Sequence, residues 1–192
     1  VMTGFRSKFG GAQEIIGVQA DITCLGKVIG GGFPVGAYGA SDKIMHNVAP
    51  LGGMYQAGTL SGNPVAMAAG IAQLTECLKE GFYENLESKT SKLVNGVLSY
   101  AKEKNYPFFM YHVGSIFWTT YLTNDVVRAA SAIRKESSDY FRKMHSFLLE
   151  KGVYTAPSAF EVGFMSSAHT DQDIEITIEA FKQGLDFLFQ KT

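Results

Sequence analysis

Residues 23–36 read TCLGKVIGGGFPVG, a short apolar run followed by Lys27 and then by three consecutive glycines. The pattern predicts two short strands, residues 22–25 and 35–39, on either side of a glycine-rich turn. Because glycine has no side chain, a flat ligand could approach the backbone of this turn closely. A partly desolvated lysine amine is a good nucleophile toward a carbonyl, so Lys27 is a candidate Schiff-base residue. The alternative is a surface lysine beside an ordinary turn.

Residues 55–70 read YQAGTLSGNPVAMAAG, a polar loop with several glycines that leads into a helix. Asn63 is a favourable N-cap residue and Pro64 suits the first helical position, so we predict a helix from Pro64 onward. The hydroxyls of Thr59 and Ser61, together with backbone N–H groups at a helix start, could bind an anion such as phosphate. The alternative is a capped helix that binds nothing.

The composition indicates a folded globular protein. The chain has 192 residues, of which 46% are hydrophobic and 18% charged, and its net charge is −1. This charge gives no general attraction to nucleic acid or to anionic membranes. The sequence shows no secretory signal and no apolar stretch of membrane-spanning length. We therefore expect neither a nucleic-acid nor a membrane partner. Because Cys24 and Cys77 alone do not make a disulfide framework, we expect a cytoplasmic protein.

The hydrophobic periodicity predicts two domains, 1–82 and 83–192. The first reads as the end of an α/β domain, and the second as a bridging helix followed by a small C-terminal α/β domain. A capping-box pattern, Thr170 with Asp173, predicts the start of the last helix. The other elements predicted in the second domain are helices over 83–104 and 138–151 and strands over 108–112, 115–122, 153–155 and 160–165.

Other kinds of site are not favoured by the residue spacing. No two histidines stand at metal-ligand spacing, so we predict no metal site. The glycine run is not a dinucleotide fingerprint, because Val35 occupies the place of the last glycine. Lys27 is followed by Val28, which lacks the hydroxyl that a phosphate-binding loop offers to magnesium. His169 is favoured as part of a helix entry rather than as a catalytic base.

Taken with flanking motifs, these windows closely resemble the glutamate-1-semialdehyde aminomutase family of the class III aminotransferases. The resemblance covers nearly the whole chain and is weakest between residues 80 and 150. The segment MYQAGTLSGNP is the most specific, because other class III members share its GNP but usually differ just before the threonine. The matching segments are MTGFR (2–6), GAQ (11–13), the window over 17–39, MYQAGTLSGNP (54–64), APSAFEVGF (156–164) and AHT (168–170).

This resemblance implies a fold, a cofactor and roles for individual residues. The fold would be that of type I pyridoxal-phosphate-dependent aminotransferases, an α/β architecture. Residues 1–82 would then form the end of the large cofactor-binding domain, and a smaller α+β C-terminal domain would follow. Lys27 matches the lysine that forms a Schiff base with pyridoxal 5'-phosphate and later moves protons. Thr59 matches a threonine that reaches the cofactor phosphate of the neighbouring subunit, which implies a homodimer with shared sites. Glu161 matches a glutamate near substrate and cofactor, its alternative being a carboxylate at a strand edge. Tyr55, in the same loop as Thr59, is the second candidate for substrate binding.

The implied reaction moves an amino group within glutamate 1-semialdehyde to give 5-aminolevulinate for tetrapyrrole (porphyrin) synthesis. It would use the pyridoxamine 5'-phosphate form of the cofactor. In the family, the run that ends in MTGFR begins Asp-Glu-Val, and the aspartate holds the pyridine nitrogen. Because the sequence starts at Val1, we expect the C-terminal portion of a longer enzyme, active only with its N-terminal half. Two alternatives remain open: another class III (omega-amino acid) aminotransferase, or an assembly half without its own catalysis.

Overall fold

The computed structural model describes residues 1–190, and contacts between residues divide the chain into two units. The first unit is Val1–Tyr83, and the second begins at Glu84. The division lies one residue after the boundary predicted from the sequence. That these units correspond to the two expected domains stays a prediction.

The first unit contains a two-stranded antiparallel sheet and three α-helices. Its strands pair from Ile22 opposite Ala40 to Gly26 opposite Gly36, which confirms both predicted strands. A single turn of 3₁₀ helix, Lys27–Gly30, follows the first strand directly. The elements are α1 (Ala12–Ile16), β1 (Ile22–Gly26), β2 (Gly36–Ala40), α2 (Asp42–Met45) and α3 (Pro64–Cys77).

Helix α3 begins as the sequence predicts. The Oδ1 atom of Asn63 accepts a hydrogen bond of 3.0 Å from the backbone N–H of Ala66, and Pro64 occupies the first helical position. This bond satisfies one of the N–H groups that a helix start leaves without an intrahelical partner. Ala66, Gly70 and Cys77 are the buried residues of α3.

The second unit combines a three-stranded antiparallel sheet, in the order β3-β4-β5, with long helices. The predicted helices and the first two predicted strands are all present, with boundaries shifted by one or two residues. Helix α4 starts at the end of the first unit and lies mostly in the second. The elements are α4 (Phe82–Glu103), β3 (Phe108–Val113), β4 (Ile116–Tyr121), a 3₁₀ turn (Ala130–Ala132), α5 (Ser137–Glu150), β5 (Gly163–Phe164) and α6 (Asp171–Phe189).

Two strands predicted in the second unit are wrong or too long. Residues 153–155 form no strand, because their backbone groups bond to α5 instead. The N–H of Val153 donates to the carbonyl of Leu148, and the carbonyl of Thr155 accepts from Nε2 of His145. Of residues 160–165, only Gly163–Phe164 pairs with β4, since a turn with a bond from the N–H of Glu161 to the carbonyl of Ser158 precedes it.

The core of the second unit is formed by the apolar faces that the helical periodicity predicts. Val97 and Leu185 are completely buried, and Tyr121 of β4 is 2% exposed. Burial raises the pKa of Tyr121, because the phenolate would lose its hydration. The main contributors from the three helices are Leu93, Val94 and Val97 of α4, Phe141, Met144 and Leu148 of α5, and Ile174, Ile178, Phe181 and Leu185 of α6. No helix within residues 1–190 is both long enough and apolar enough to cross a membrane.

Candidate active site

Lys27 lies where β1 ends and the 3₁₀ turn Lys27–Gly30 begins, which we call the lysine turn. Its backbone φ is 51°, in the left-handed region that residues with a Cβ rarely adopt. Such a conformation costs on the order of 1–3 kcal/mol and persists only where the surrounding structure enforces it. The side chain is exposed, so the partial desolvation expected from the sequence is not found. In the described part of the chain its amine has neither a hydrogen-bond nor an ion-pair partner.

The lysine turn is closed by glycine on its C-terminal side. Gly31 takes a φ of 57° and donates its N–H to the carbonyl of Val28 at 3.1 Å. Phe33 donates its N–H to the carbonyl of Gly30 at 3.0 Å. These two bonds reverse the chain into β2, so that the two strands pair up to the residues next to the turn. A left-handed position directly after a short helix favours glycine, which the run of three supplies.

Thr59 lies in an exposed turn that ends at the N-cap of α3. The turn is held by backbone bonds from Ser61 to Gly58, at 3.0 Å, and from Asn63 to Leu60, at 3.2 Å. The hydroxyl of Thr59 has no partner within residues 1–190, and it precedes a helix start by only a few residues. The N-terminus of a helix carries partial positive charge, which favours an anion near the end of this loop. Tyr55 lies in the same loop and is 83% exposed.

The two sequence windows line one cavity of about 230 Å³ in the first unit. Pro34 and Val35, which precede β2, contribute together with Gly36, the first residue of β2, and Met67 contributes from α3. The loop supplies Gly58, Leu60, Ser61 and Gly62. Neither Lys27 nor Thr59 lines this cavity. Val35 and Met67 lie inside the two windows, but the sequence did not indicate either of them as a site residue.

Glu161 belongs to the second unit, where it lies in a turn two residues before β5. It is exposed and lies outside β5, so its carboxylate belongs to the turn before the strand. It lines a cavity of about 430 Å³ whose other walls are mainly apolar, among them Phe117, Ile174 and Phe181. Thr155 lines the same cavity, and its buried hydroxyl has no hydrogen-bond partner within residues 1–190.

His169 stands at the entry of α6, as the sequence favours. Its Nδ1 accepts a hydrogen bond of 3.0 Å from the N–H of Ser166, and its carbonyl accepts one of 2.7 Å from Nζ of Lys89. The capping box that follows is complete, since Thr170 and Asp173 each bond the backbone N–H of the other. The donors from Thr170 lower the pKa of the Asp173 carboxyl. Among the residues that the structure describes, no three His, Cys, Asp or Glu side chains are grouped to hold a metal ion.

Comparison with known proteins gives consistent matches over most of the chain. A family model described as "Aminotransferase class-III" matches residues 1–185. A curated protein of Laribacter hongkongensis (strain HLHK9), named glutamate-1-semialdehyde 2,1-aminomutase, is 49% identical over 184 residues. That match covers 96% of this chain and 43% of the relative. The chain therefore spans less than half the length of the curated relative.

Solved structures of transaminases also match most of this chain. An omega-transaminase from Sphaerobacter thermophilus matches with a TM-score of 0.83 and 30% identity, over 97% of this chain and 42% of that one. A structure described as a transaminase with PLP bound matches with a TM-score of 0.80 and 26% identity, over 96% and 42% of the two chains. The fold class predicted from the sequence is confirmed by these matches.

Proposed function

This chain belongs to the class-III aminotransferase family, and from that membership we propose that its protein converts glutamate 1-semialdehyde to 5-aminolevulinate by intramolecular amino transfer. The observation that carries the proposal is the 49% identity, over 96% of this chain, to a protein named glutamate-1-semialdehyde 2,1-aminomutase. The motif MYQAGTLSGNP, which resembles that family specifically, supports the same substrate.

We propose pyridoxal 5'-phosphate as the cofactor, used in its pyridoxamine form. Two features of the first unit suit a carbonyl compound that carries a phosphate. The amine of Lys27 is exposed and unpaired within the described residues, and the unpaired hydroxyl of Thr59 precedes the start of α3. When bound, the cofactor would supply an aldehyde in its pyridoxal form or an amino group in its pyridoxamine form, and in both forms a conjugated ring that accepts electrons.

Each candidate residue of this chain would then have its own role in the reaction. Lys27 binds the cofactor through Nζ and, as a free amine, takes up and returns the proton of the substrate carbon that carries nitrogen. The hydroxyl of Thr59 donates a hydrogen bond to the phosphate of a second subunit's cofactor. Glu161 and Tyr55 contact the substrate, and the exposure of both side chains in the described chain is compatible with that role.

We test the proposed reaction with the full-length protein, because this chain spans 43% of the curated relative. Protein loaded with the pyridoxamine form is mixed with glutamate 1-semialdehyde, and 5-aminolevulinate is measured without any added amino donor. We expect the product to form under these conditions. Product formation only after an external amino donor is added would contradict the proposal.

That contrary result would favour a second candidate, a class III (omega-amino acid) aminotransferase that exchanges amino groups with an external donor and an external acceptor. The match to an omega-transaminase at 30% identity, with a TM-score of 0.83, supports this alternative. The same assay therefore separates the two candidates.

A homodimer and a cytoplasmic location belong to the same proposal. The assignment of Thr59 to the partner's phosphate requires two subunits, and the unpaired Cys24 and Cys77 suit a reducing compartment. Sedimentation velocity of the full-length protein tests the assembly, and a monomer at working concentration would contradict it.

A further inference from the structure

The lysine turn and helix α3 approach each other so closely that no side chain fits between them. A Cβ atom placed on Gly70, in the middle of α3, would overlap the carbonyl oxygen of Ile29 in the lysine turn. A Cβ atom placed on Gly31, at the end of the turn, would overlap the carbonyl of Ala69. The two backbones therefore meet closely at two glycines, Gly70 of α3 and Gly31, which directly follows the lysine turn.

The two glycines are required for different reasons. Gly31 has a φ of 57°, so its backbone conformation alone favours glycine. Gly70 lies inside a regular α-helix, where glycine lowers helix stability relative to alanine. No backbone conformation explains Gly70, whereas the overlap with Ile29 does. Gly70 is buried at this contact, and its partners Ile29, Gly31 and Ala69 are half-buried.

The contact bears directly on the conformation of Lys27. Lys27 stands two residues before Ile29 and holds a left-handed φ of 51°, which its surroundings must enforce. On its N-terminal side, the pairing of Gly26 with Gly36 fixes the chain in the sheet. On its C-terminal side, Ile29 is held against Gly70. The strained residue is thus fixed at both ends within one short segment.

We propose that Gly70 is a positioning residue for Lys27. Its missing side chain lets α3 hold the lysine turn in place, and this fixes the direction in which the amine of Lys27 leaves the backbone. This inference rests on the proposed role of Lys27 as the residue that binds the cofactor. Because α3 also starts directly after the loop of Thr59, the same helix sets the lysine turn relative to that loop.

The test compares Gly70→Ala with Gly39→Ala in full-length protein. Gly39 lies in β2 of the same unit, and a Cβ there would meet nothing within 4 Å. For each protein we measure the rate at which borohydride traps the cofactor on Lys27, mapped by peptide mass, and the pH dependence of the visible absorbance of the bound cofactor. Since a misplacement of about 1 Å can cost roughly 10²-fold in rate, we expect about that loss of trapping rate in Gly70→Ala and a shifted titration midpoint. Gly39→Ala should behave like the wild type.

The outcomes separate the positioning role from the proposed function. If Gly70→Ala traps and titrates like the wild type, the positioning role is overturned, whatever happens to its thermal stability. If borohydride labels a different lysine in the wild type, the proposed function of Lys27 fails, and the positioning role fails with it. A loss of stability without any change in trapping or titration identifies Gly70 as structural only.

A second measurement needs no substitution and remains decisive if Gly70→Ala does not fold. Native-state hydrogen exchange of the wild type follows the amides of Gly31 and Phe33, which close the lysine turn, and those in the middle of α3. If α3 holds the turn, both sets exchange at similar rates through one opening event. Turn amides that exchange as fast as an exposed loop, while α3 stays protected, would overturn the proposal.

Discussion

Lys27 is the residue on which the proposed chemistry depends most. We expect Lys27→Ala in the full-length protein to lower 5-aminolevulinate formation by at least a hundredfold, since a positioned proton-transfer group contributes about 10²–10⁴-fold. Borohydride reduction and peptide mapping should find the cofactor on Lys27 in the wild type and no stable label in the variant. Label at another lysine in the wild type would show that the assignment is wrong.

Thr59 offers a similar test of cofactor binding. Thr59→Val keeps the shape of the side chain and removes its hydroxyl. A hydrogen bond to a charged group contributes about 1.5–3 kcal/mol, which corresponds to roughly ten- to a hundredfold in cofactor affinity. We expect faster cofactor loss on dialysis than in the wild type, whereas Thr59→Ser should keep most of the affinity. If Thr59 acts across the dimer, mixing Thr59→Val with Lys27→Ala subunits restores one intact site.

Tyr100, in the second unit, makes a pH-dependent contribution to the free energy of unfolding. Its hydroxyl donates to both carboxylate oxygens of Asp186, at 2.9 and 2.8 Å, and Tyr106 donates to the same group at 2.8 Å. Since ionisation would break the bond to Asp186 and place a phenolate beside its carboxylate, the pKa of Tyr100 is raised to about 12. The folded state therefore holds this proton more tightly than the unfolded state does. The contribution is complete below the ordinary pKa of about 10 and is lost as the pH rises toward about 12.

Urea unfolding of the wild type and of Tyr100→Phe at several pH values between 9 and 12 tests this linkage. The wild type should lose more free energy of unfolding across this range than the variant. Equal pH dependence of the two proteins would contradict the role of Tyr100.

The start of α3 connects the site to the stability of its helix. We expect Asn63→Ala to lower the free energy of unfolding by about 1 kcal/mol, because the N-cap bond to Ala66 is lost. Asn63→Asp keeps an acceptor oxygen and should stay close to the wild type. Urea unfolding monitored by circular dichroism measures both variants. Because Asn63 also ends the loop of Thr59, the alanine variant should lose cofactor faster than the wild type. Unchanged cofactor retention would show that the N-cap bond does not affect cofactor binding.

Helices and strands with strong periodicity or capping could be predicted from the sequence, and the rest depended on contacts between distant residues. Asn63 with Pro64 and Thr170 with Asp173 gave correct helix starts, because caps are local. Residues 153–155 have strand propensity, yet their hydrogen bonds to α5 override it. Helices α1 and α2, with five and four residues, are too short to show periodicity. The left-handed Lys27 and the contact of Ile29 with Gly70 could not be predicted, because both depend on how α3 packs.

The two units differ in how much apolar surface they bury. In the second, the faces of three helices and the sheet enclose one core, from Leu93 to Leu185. In the first, the buried apolar residues are only Ala66 and Cys77 among those the structure describes. Most of the large apolar side chains that are exposed within residues 1–190 also lie in the first unit. Ile16, Leu51 and Ile71 are examples, at 67%, 72% and 69% exposure.

This difference leads to a prediction for the 192 residues expressed by themselves. Exposed apolar surface of this extent favours association, so we expect the chain to aggregate or to bind the dye ANS strongly, and to form no 5-aminolevulinate. Residues 82–192, which contain the whole core of the second unit, should instead give a monomer that unfolds cooperatively in urea. Size-exclusion chromatography, ANS fluorescence and the product assay measure these outcomes. A monomeric chain of 192 residues that binds little ANS would show that the first unit needs no further apolar partner. Formation of 5-aminolevulinate by this chain would contradict the expected dependence on an N-terminal half.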